Sequence, residues 1–192
     1  MTGATMAKRV VVGVCGSIAA YKAAEVVSAL RQRGWQVRVV MTEAATRFIT
    51  PLTLETLSGN RVAVDMFDRS NWEIAHIALS EFADVLVIVG ATADVIGKIA
   101  SGICDDLLTC TVAACDRPVF LAPAMNERMW KNSIVQENVG KLTRLGYRFI
   151  GPDTGYLACG KEGVGRLADP STIVERLEKV ACRGRGRTGR RR

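Results

Sequence analysis

No apolar run in this 192-residue sequence reaches the ~18 residues that a membrane span requires. Met1–Lys8 lacks the apolar core of a secretory signal, so the chain reads as cytoplasmic. There is a single histidine, and the six cysteines form no Cys-x-x-Cys pair. That excludes the usual structural zinc sites and points to reduced, packed thiols. The first strand-to-helix turn is not Gly-x-Gly-x-x-Gly, and no Gly-Lys-Ser/Thr follows it. Neither the dinucleotide fingerprint nor the P-loop is met. No internal repeat appears.

What remains is 48% hydrophobic and 23% charged, with a mean hydropathy of +0.15. Such a chain buries a continuous core, and it is not disordered, collagen-like or a coiled coil. The net charge of +7 is misleading, because Arg183–Arg192 reads RGRGRTGRRR. Without those six arginines, 20 basic residues face 19 acidic ones. The division is therefore one domain over 1–182 and a disordered Arg/Gly-rich tail over 183–192, with a solubilising role favoured over nucleic-acid binding.

Strand and helix patterns alternate along the body. Val10–Cys15 is a β-branched run, a helical pattern spans Ile18 to Arg33 with Gly34 as its stop, and Val37–Met41 is a second strand. Asp84–Gly90 is the most hydrophobic strand and precedes a helix from Asp94 to Ser101. Val119–Ala122 is followed by a helix through Leu145, Tyr147–Ile150 reads as the last strand, and Ser171–Val180 as the last helix. The pattern predicts an α/β, Rossmann-like (flavodoxin-like) three-layer domain with a parallel sheet. Ligands in such folds bind beyond the carboxyl ends of the strands, at the point where strand order reverses.

Four segments carry candidate chemistry. Gly16-Ser17-Ile18 opens a helix straight after a strand, where free N–H groups and a hydroxyl suit an anion such as a mononucleotide phosphate; a plain N-cap is the simpler reading. His76, between isoleucines, is either a satisfied core residue or a general base. In Pro123–Trp130, Asn126 either caps a helix or donates its amide to a substrate carboxylate, while Met129 and Trp130 read as packing. Gly155–Arg166 holds four glycines in twelve residues and reads as a mobile flap carrying Cys159, Lys161 and Arg166. A thiol there suits a proton donor.

Taken in order, Gly16-Ser-Ile-Ala-Ala-Tyr-Lys22, Met41-Thr-Glu-Ala-Ala45, His76 before an Ile, Ala91-Thr-Ala-Asp94, Ala100-Ser-Gly-Ile-Cys-Asp-Asp-Leu-Leu108, Pro123-Ala-Met-Asn-x-x-Met-Trp130 and Ala158-Cys-Gly160 with Gly163-x-Gly-Arg166 resemble the homo-oligomeric flavin-containing cysteine decarboxylases. Gly90 stands where that family usually has Pro before Ala-Thr-Ala. The resemblance implies FMN, with its phosphate at Gly16, Ser17, Ile18 and Thr42. It implies ribityl or ring contacts from Phe48, Ala91, Thr92, Ala93, Asp94 and Ala124. It further implies that Met125, Asn126, Ala158 and Lys161 bind substrate, and that His76, Asn126 and Cys159 are catalytic. The implied activity is that of a carboxy-lyase in coenzyme A biosynthesis. It converts 4′-phospho-N-pantothenoylcysteine to 4′-phosphopantetheine and CO2 through a thioaldehyde and an enethiol. The implied assembly is a trimer, or a dodecamer built from trimers, with each flavin near a subunit interface; neither membrane nor specific nucleic acid is implied. A peptidyl-cysteine oxidative decarboxylase and a non-catalytic flavoprotein regulator are the alternatives. Cys159 argues against the first, because a proton donor is needed only if the enethiol is reduced.

Overall fold

Valine-rich runs with no polar face become strands covered on both sides. In a computed structural model, which describes residues 7–68 and 74–181, six strands pair in parallel. They are β1 (Arg9–Val14), β2 (Gln36–Met41), β3 (Val62–Ala63), β4 (Val85–Ala91), β5 (Val119–Pro123) and β6 (Arg148–Phe149). Their spatial order is β3-β2-β1-β4-β5-β6, the doubly wound arrangement. Cys182 and the Arg/Gly-rich segment 183–192 lie outside the described residues.

Alternation along β1 divides the core. Val10, Val12 and Val14 meet Val26, Leu30, Leu54 and Leu177 from helices α1 (Lys22–Gln32), α2 (Pro51–Ser58) and α8 (Pro170–Ala181). On the other face Val11 and Ile88 belong to a cluster with Leu79, Ile96, Leu108 and Leu142. These come from α3 (Ala75–Phe82), α4 (Ala93–Ser101), α5 (Leu107–Ala114) and α7 (Ser133–Arg144). Among the described residues no helix is long and apolar enough to cross a membrane, and no group of three or more His, Cys, Asp or Glu could hold a metal ion.

Three expectations are corrected. The helix expected to run through Leu145 is two helices, α6 (Glu127–Trp130) and α7, because Asn132 caps a new start by accepting the Ile134 N–H at 3.0 Å. The first helix begins as a 3-10 turn, Ile18–Tyr21, before α1. The Gly155–Arg166 flap is an ordered antiparallel hairpin, β7 (Asp153–Tyr156) and β8 (Glu162–Arg166), so β6 is not the last strand. Its turn closes through Gly160 N–H to Leu157 O and Leu157 N–H to Lys161 O, both 2.9 Å. Glycines without alternating apolar partners conceal a strand in the sequence, yet their bare backbones pair readily here.

Asp84 ties the starts of β1 and β4 together, accepting the Arg9 backbone N–H at 2.9 Å and its guanidinium at 3.1 Å. Partial burial pushes its carboxyl up, but the Arg9 bonds outweigh this and hold it below its ordinary range. A lowered folded pKa stabilises above the unfolded value, about 3.9 for Asp, and the benefit is lost as pH falls through the folded one. Asp84→Ala should therefore cost about 1 kcal/mol at neutral pH after solvent screening, with the difference shrinking in acid. Urea unfolding of both proteins across pH checks this; an equal gap at all pH values would assign the cost to packing.

Candidate functional site

The reversal of strand order falls between β1 and β4, whose following segments leave for opposite faces of the sheet and open a crevice at their carboxyl ends. Ser17, just beyond β1, heads the 3-10 turn that continues into α1, and its side chain makes no cap bond. Its Oγ is buried without any hydrogen-bond partner. A buried hydroxyl left unpaired at a helix start, beside first-turn N–H groups that lack intrahelical acceptors, is suited to an anionic oxygen. Gly90, at the irregularity between Val89 and Ala91 in β4, has φ +73°. A Cβ placed there would lie 2.7 Å from the Ser17 Oγ. Proline, locked near φ −65°, cannot adopt this backbone. The left-handed glycine leaves room beside the Ser17 hydroxyl that a Cβ would occupy.

A cleft of about 660 Å³ extends from this cradle. Its lining combines Gly16, Ser17 and Ile18 after β1, Thr92 and Ala93 after β4, Ala124, Met125 and Asn126 after β5, and Ala158 and Cys159 from the hairpin turn. Thr92 also caps α4, its Oγ1 accepting the Val95 N–H at 3.2 Å. Beneath it Cys15 is fully buried, and burial pushes its thiol up to about 12, so it stays neutral and serves as packing.

The helix-cap reading of Asn126 holds, and its amide nitrogen is left facing the hairpin. Its Oδ1 accepts the Arg128 N–H at 2.8 Å and caps α6, which fixes the amide plane. Its Nδ2 is thereby turned toward Cys159, 3.5 Å from Sγ. The hairpin brings that thiol in by docking on the loop after β5, where Met125 N–H donates to Gly165 O at 3.0 Å. An amide donor and an exposed thiol therefore share one point at the cleft wall, 33 residues apart in sequence.

Other predicted residues lie elsewhere in the single chain. Thr42 is buried and its hydroxyl accepts the Ala45 N–H at 3.2 Å, Phe48 is half-exposed, and Ala91 is buried within β4. Asp94 pairs with Lys98 at 3.5 Å, and Lys161 lines a smaller adjoining cavity. His76 is half-buried on α3, in the layer opposite α1, and does not line the cleft. Conversely Met129, which reads as packing, does line it, as do Tyr21, Lys22 and the stretch Leu167–Pro170. Lys22 lies one turn beyond the Ser17 cradle, a spacing that could have revealed it; Leu167–Pro170 carries no sequence signal, since the hairpin alone brings it in.

Comparison with known proteins agrees with the fold. The Flavoprotein family model matches residues 2–181. The coenzyme A biosynthesis bifunctional protein CoaBC of Bacillus subtilis is 47% identical over 173 residues, 90% of this chain and 43% of its own length. The chain therefore spans less than half the length of such curated relatives. Among solved structures, the FMN-dependent cysteine decarboxylase SpaF is 37% identical with a TM-score of 0.80, covering 91% of this chain and 97% of that one. A cysteine-to-serine mutant of PPC decarboxylase complexed with pantothenoylaminoethenethiol is 34% identical with a TM-score of 0.80, covering 91% and 98%. A family model matched along almost the whole domain leaves one assignment: the chain belongs to the Flavoprotein family.

Proposed function

We propose that this chain binds FMN and decarboxylates 4′-phospho-N-pantothenoylcysteine to 4′-phosphopantetheine. The observation that carries this reading is the Asn126–Cys159 contact at the wall of a cleft that Ser17, with its unpaired hydroxyl, also lines. Ser17, Gly16 and Ile18 would hold the FMN phosphate, and Thr92, Ala93 and Ala124 would flank the rest of the cofactor. Bound FMN supplies a hydride acceptor for the thiol-bearing carbon and later a hydride donor to it.

The side chains supply position and protons. Asn126 Nδ2 donates to the substrate carboxylate and orients it, its other amide atom being occupied by the helix cap. A base, assigned to His76, takes the proton from the substrate sulfur during oxidation. With a thioaldehyde β to the carboxylate, loss of CO2 leaves an enethiolate rather than an unstabilised carbanion. Cys159 Sγ–H then delivers a proton to the carbon that lost CO2, and hydride return completes phosphopantetheine with no net redox change.

Since His76 does not line the cleft of its own chain, it would reach the cleft of a second copy, and the active form would be a homo-oligomer, a trimer or a larger assembly of trimers. Exposed Ile74, just before the helix that carries His76, and Ile77, on it, would be covered in that contact. The relative held with an ethenethiol in a cysteine-to-serine mutant supports the reductive half of the scheme.

The test is Cys159→Ser. Serine is a far weaker acid than a thiol, so the variant should release CO2 once, lose flavin absorbance under anaerobic conditions, and accumulate an enethiol two hydrogens short of phosphopantetheine. Mass spectrometry of the products reads this directly. Phosphopantetheine formed at the wild-type rate would remove Cys159 from the mechanism. A wild-type protein that leaves phosphopantothenoylcysteine intact after reconstitution with FMN would remove the function itself.

A further inference from the structure

Next to the flavin-sized cleft is a second cavity of about 330 Å³, walled by Asn126, Glu127, Arg128, Leu157, Cys159 and Lys161. It shares Asn126, Leu157 and Cys159 with the cleft, so the two spaces meet at the proposed reacting centre. Its wall carries two cations and one acid. The acid is already engaged: Glu127 pairs with Lys131 at 2.7 Å, an interaction that holds its carboxyl below the ordinary range. Its other oxygen lies against the backbone of Gly163. Neither Arg128 nor Lys161 has an acidic partner within ion-pair distance among the described residues. Two unneutralised cations, one from α6 and one from the hairpin turn, therefore face a cavity that opens beside Asn126 and Cys159.

We infer that this cavity is a phosphomonoester subsite, in which Arg128 and Lys161 bind the terminal phosphate at the far end of the substrate's amide arm. The inference rests on the decarboxylase reading above and deepens it. With the substrate's carboxylate and sulfur at Asn126 and Cys159, the arm must leave the shared wall. The positively charged cavity offers it a terminus that a planar Arg donor and a compact Lys charge complement. A peptide ending in cysteine brings no dianion to this position. The two cations are thus specificity determinants that separate a small phosphorylated amide from a peptide substrate.

The Arg128 side chain can be removed without disturbing the cap, because it is the backbone N–H of Arg128 that donates to Asn126. The test compares kcat/KM for phosphopantothenoylcysteine and for pantothenoylcysteine in the wild type, Arg128→Ala, Lys161→Ala, the double variant and Arg128→Lys, with flavin content and melting temperature as folding controls. The wild type should prefer the phosphorylated substrate by about tenfold or more, a preference that shrinks as salt is raised. The double variant should bring the ratio close to one by raising KM for the phosphorylated substrate, and Arg128→Lys should keep part of the preference. A wild type that processes both substrates equally, or a double variant with an unchanged ratio, overturns the subsite while leaving the decarboxylase reading intact. A wild type that decarboxylates neither overturns that reading and the subsite with it.

Discussion

Gly165→Ala should lower turnover by about a hundredfold while the chain stays folded, because a displacement near 1 Å at a reacting centre costs that much. Gly165 has φ +140°, and its carbonyl accepts the Met125 N–H that docks the hairpin. A Cβ built on it would overlap the carbonyl oxygen of Met125, which belongs to the backbone and cannot swing aside. The hairpin must lift, and with it Cys159 leaves the Asn126 amide. Gly163→Ala is the control. Its Cβ would meet the Glu127 side chain, 2.8 Å from a carboxylate oxygen, which can give way by loosening its pair with Lys131, and turnover should fall by no more than a few-fold. Steady-state kinetics, flavin content and thermal melting of the two variants separate a displaced site from a damaged fold. Wild-type turnover in Gly165→Ala would show that catalysis does not depend on this docking contact.

His76→Asn and Cys159→Ser should each abolish phosphopantetheine formation, yet a mixture of the two should recover it. If the base comes from one copy and the proton donor from another, unfolding and refolding an equal mixture assembles about one site in four with both wild-type groups. Activity near a quarter of wild type, absent from unmixed controls, is the expected result. No recovery, with mixed assembly verified by mass, would place His76 in the same chain's site or outside catalysis.

Much of the framework was legible because buried parallel strands write themselves as β-branched runs. Val10–Cys15, Val37–Met41, Asp84–Gly90 and Val119–Ala122 lie within a residue or so of β1, β2, β4 and β5. The elements left unread have physical reasons. β3 is two residues long and has no period to detect. In α5, Leu107, Leu108, Thr109, Thr111 and Val112 are all buried, so no polar face marks it as a helix. Its start is signalled instead by a reciprocal Asp106–Thr109 cap. The hairpin is glycine-rich, and its order comes from contact with Met125, a partner 40 residues away that local pattern does not reveal.

The site divides along the same line. Residues that follow strands, such as Ser17, Thr92 and Asn126, were found from the rule that ligands gather at strand ends. Others do not line the cleft of this chain: Thr42, although it follows β2, Phe48, which the resemblance alone named, and His76, singled out as the one histidine, which lies on the opposite layer. The unpaired Ser17 hydroxyl was invisible in sequence because it depends on Gly90, brought alongside by pairing β1 with β4. The dual role of Asn126 was equally hidden, since it needs both a cap geometry and the distant thiol.

The placement of the cleft outside the strands bears on how such a protein can diverge. β1 and β4 supply the floor's support through residues that are almost wholly buried, and a change there repacks the core. The cleft is lined largely by short connections and by a hairpin that forms its own sheet, docked on the loop after β5 and on α6. With residues 159 and 161 in the roles proposed above, exchanging the hairpin turn would alter what is protonated or which substrate is accepted without rebuilding the parallel sheet. On that proposal, stability and specificity lie in separate parts of the chain and can evolve at different rates.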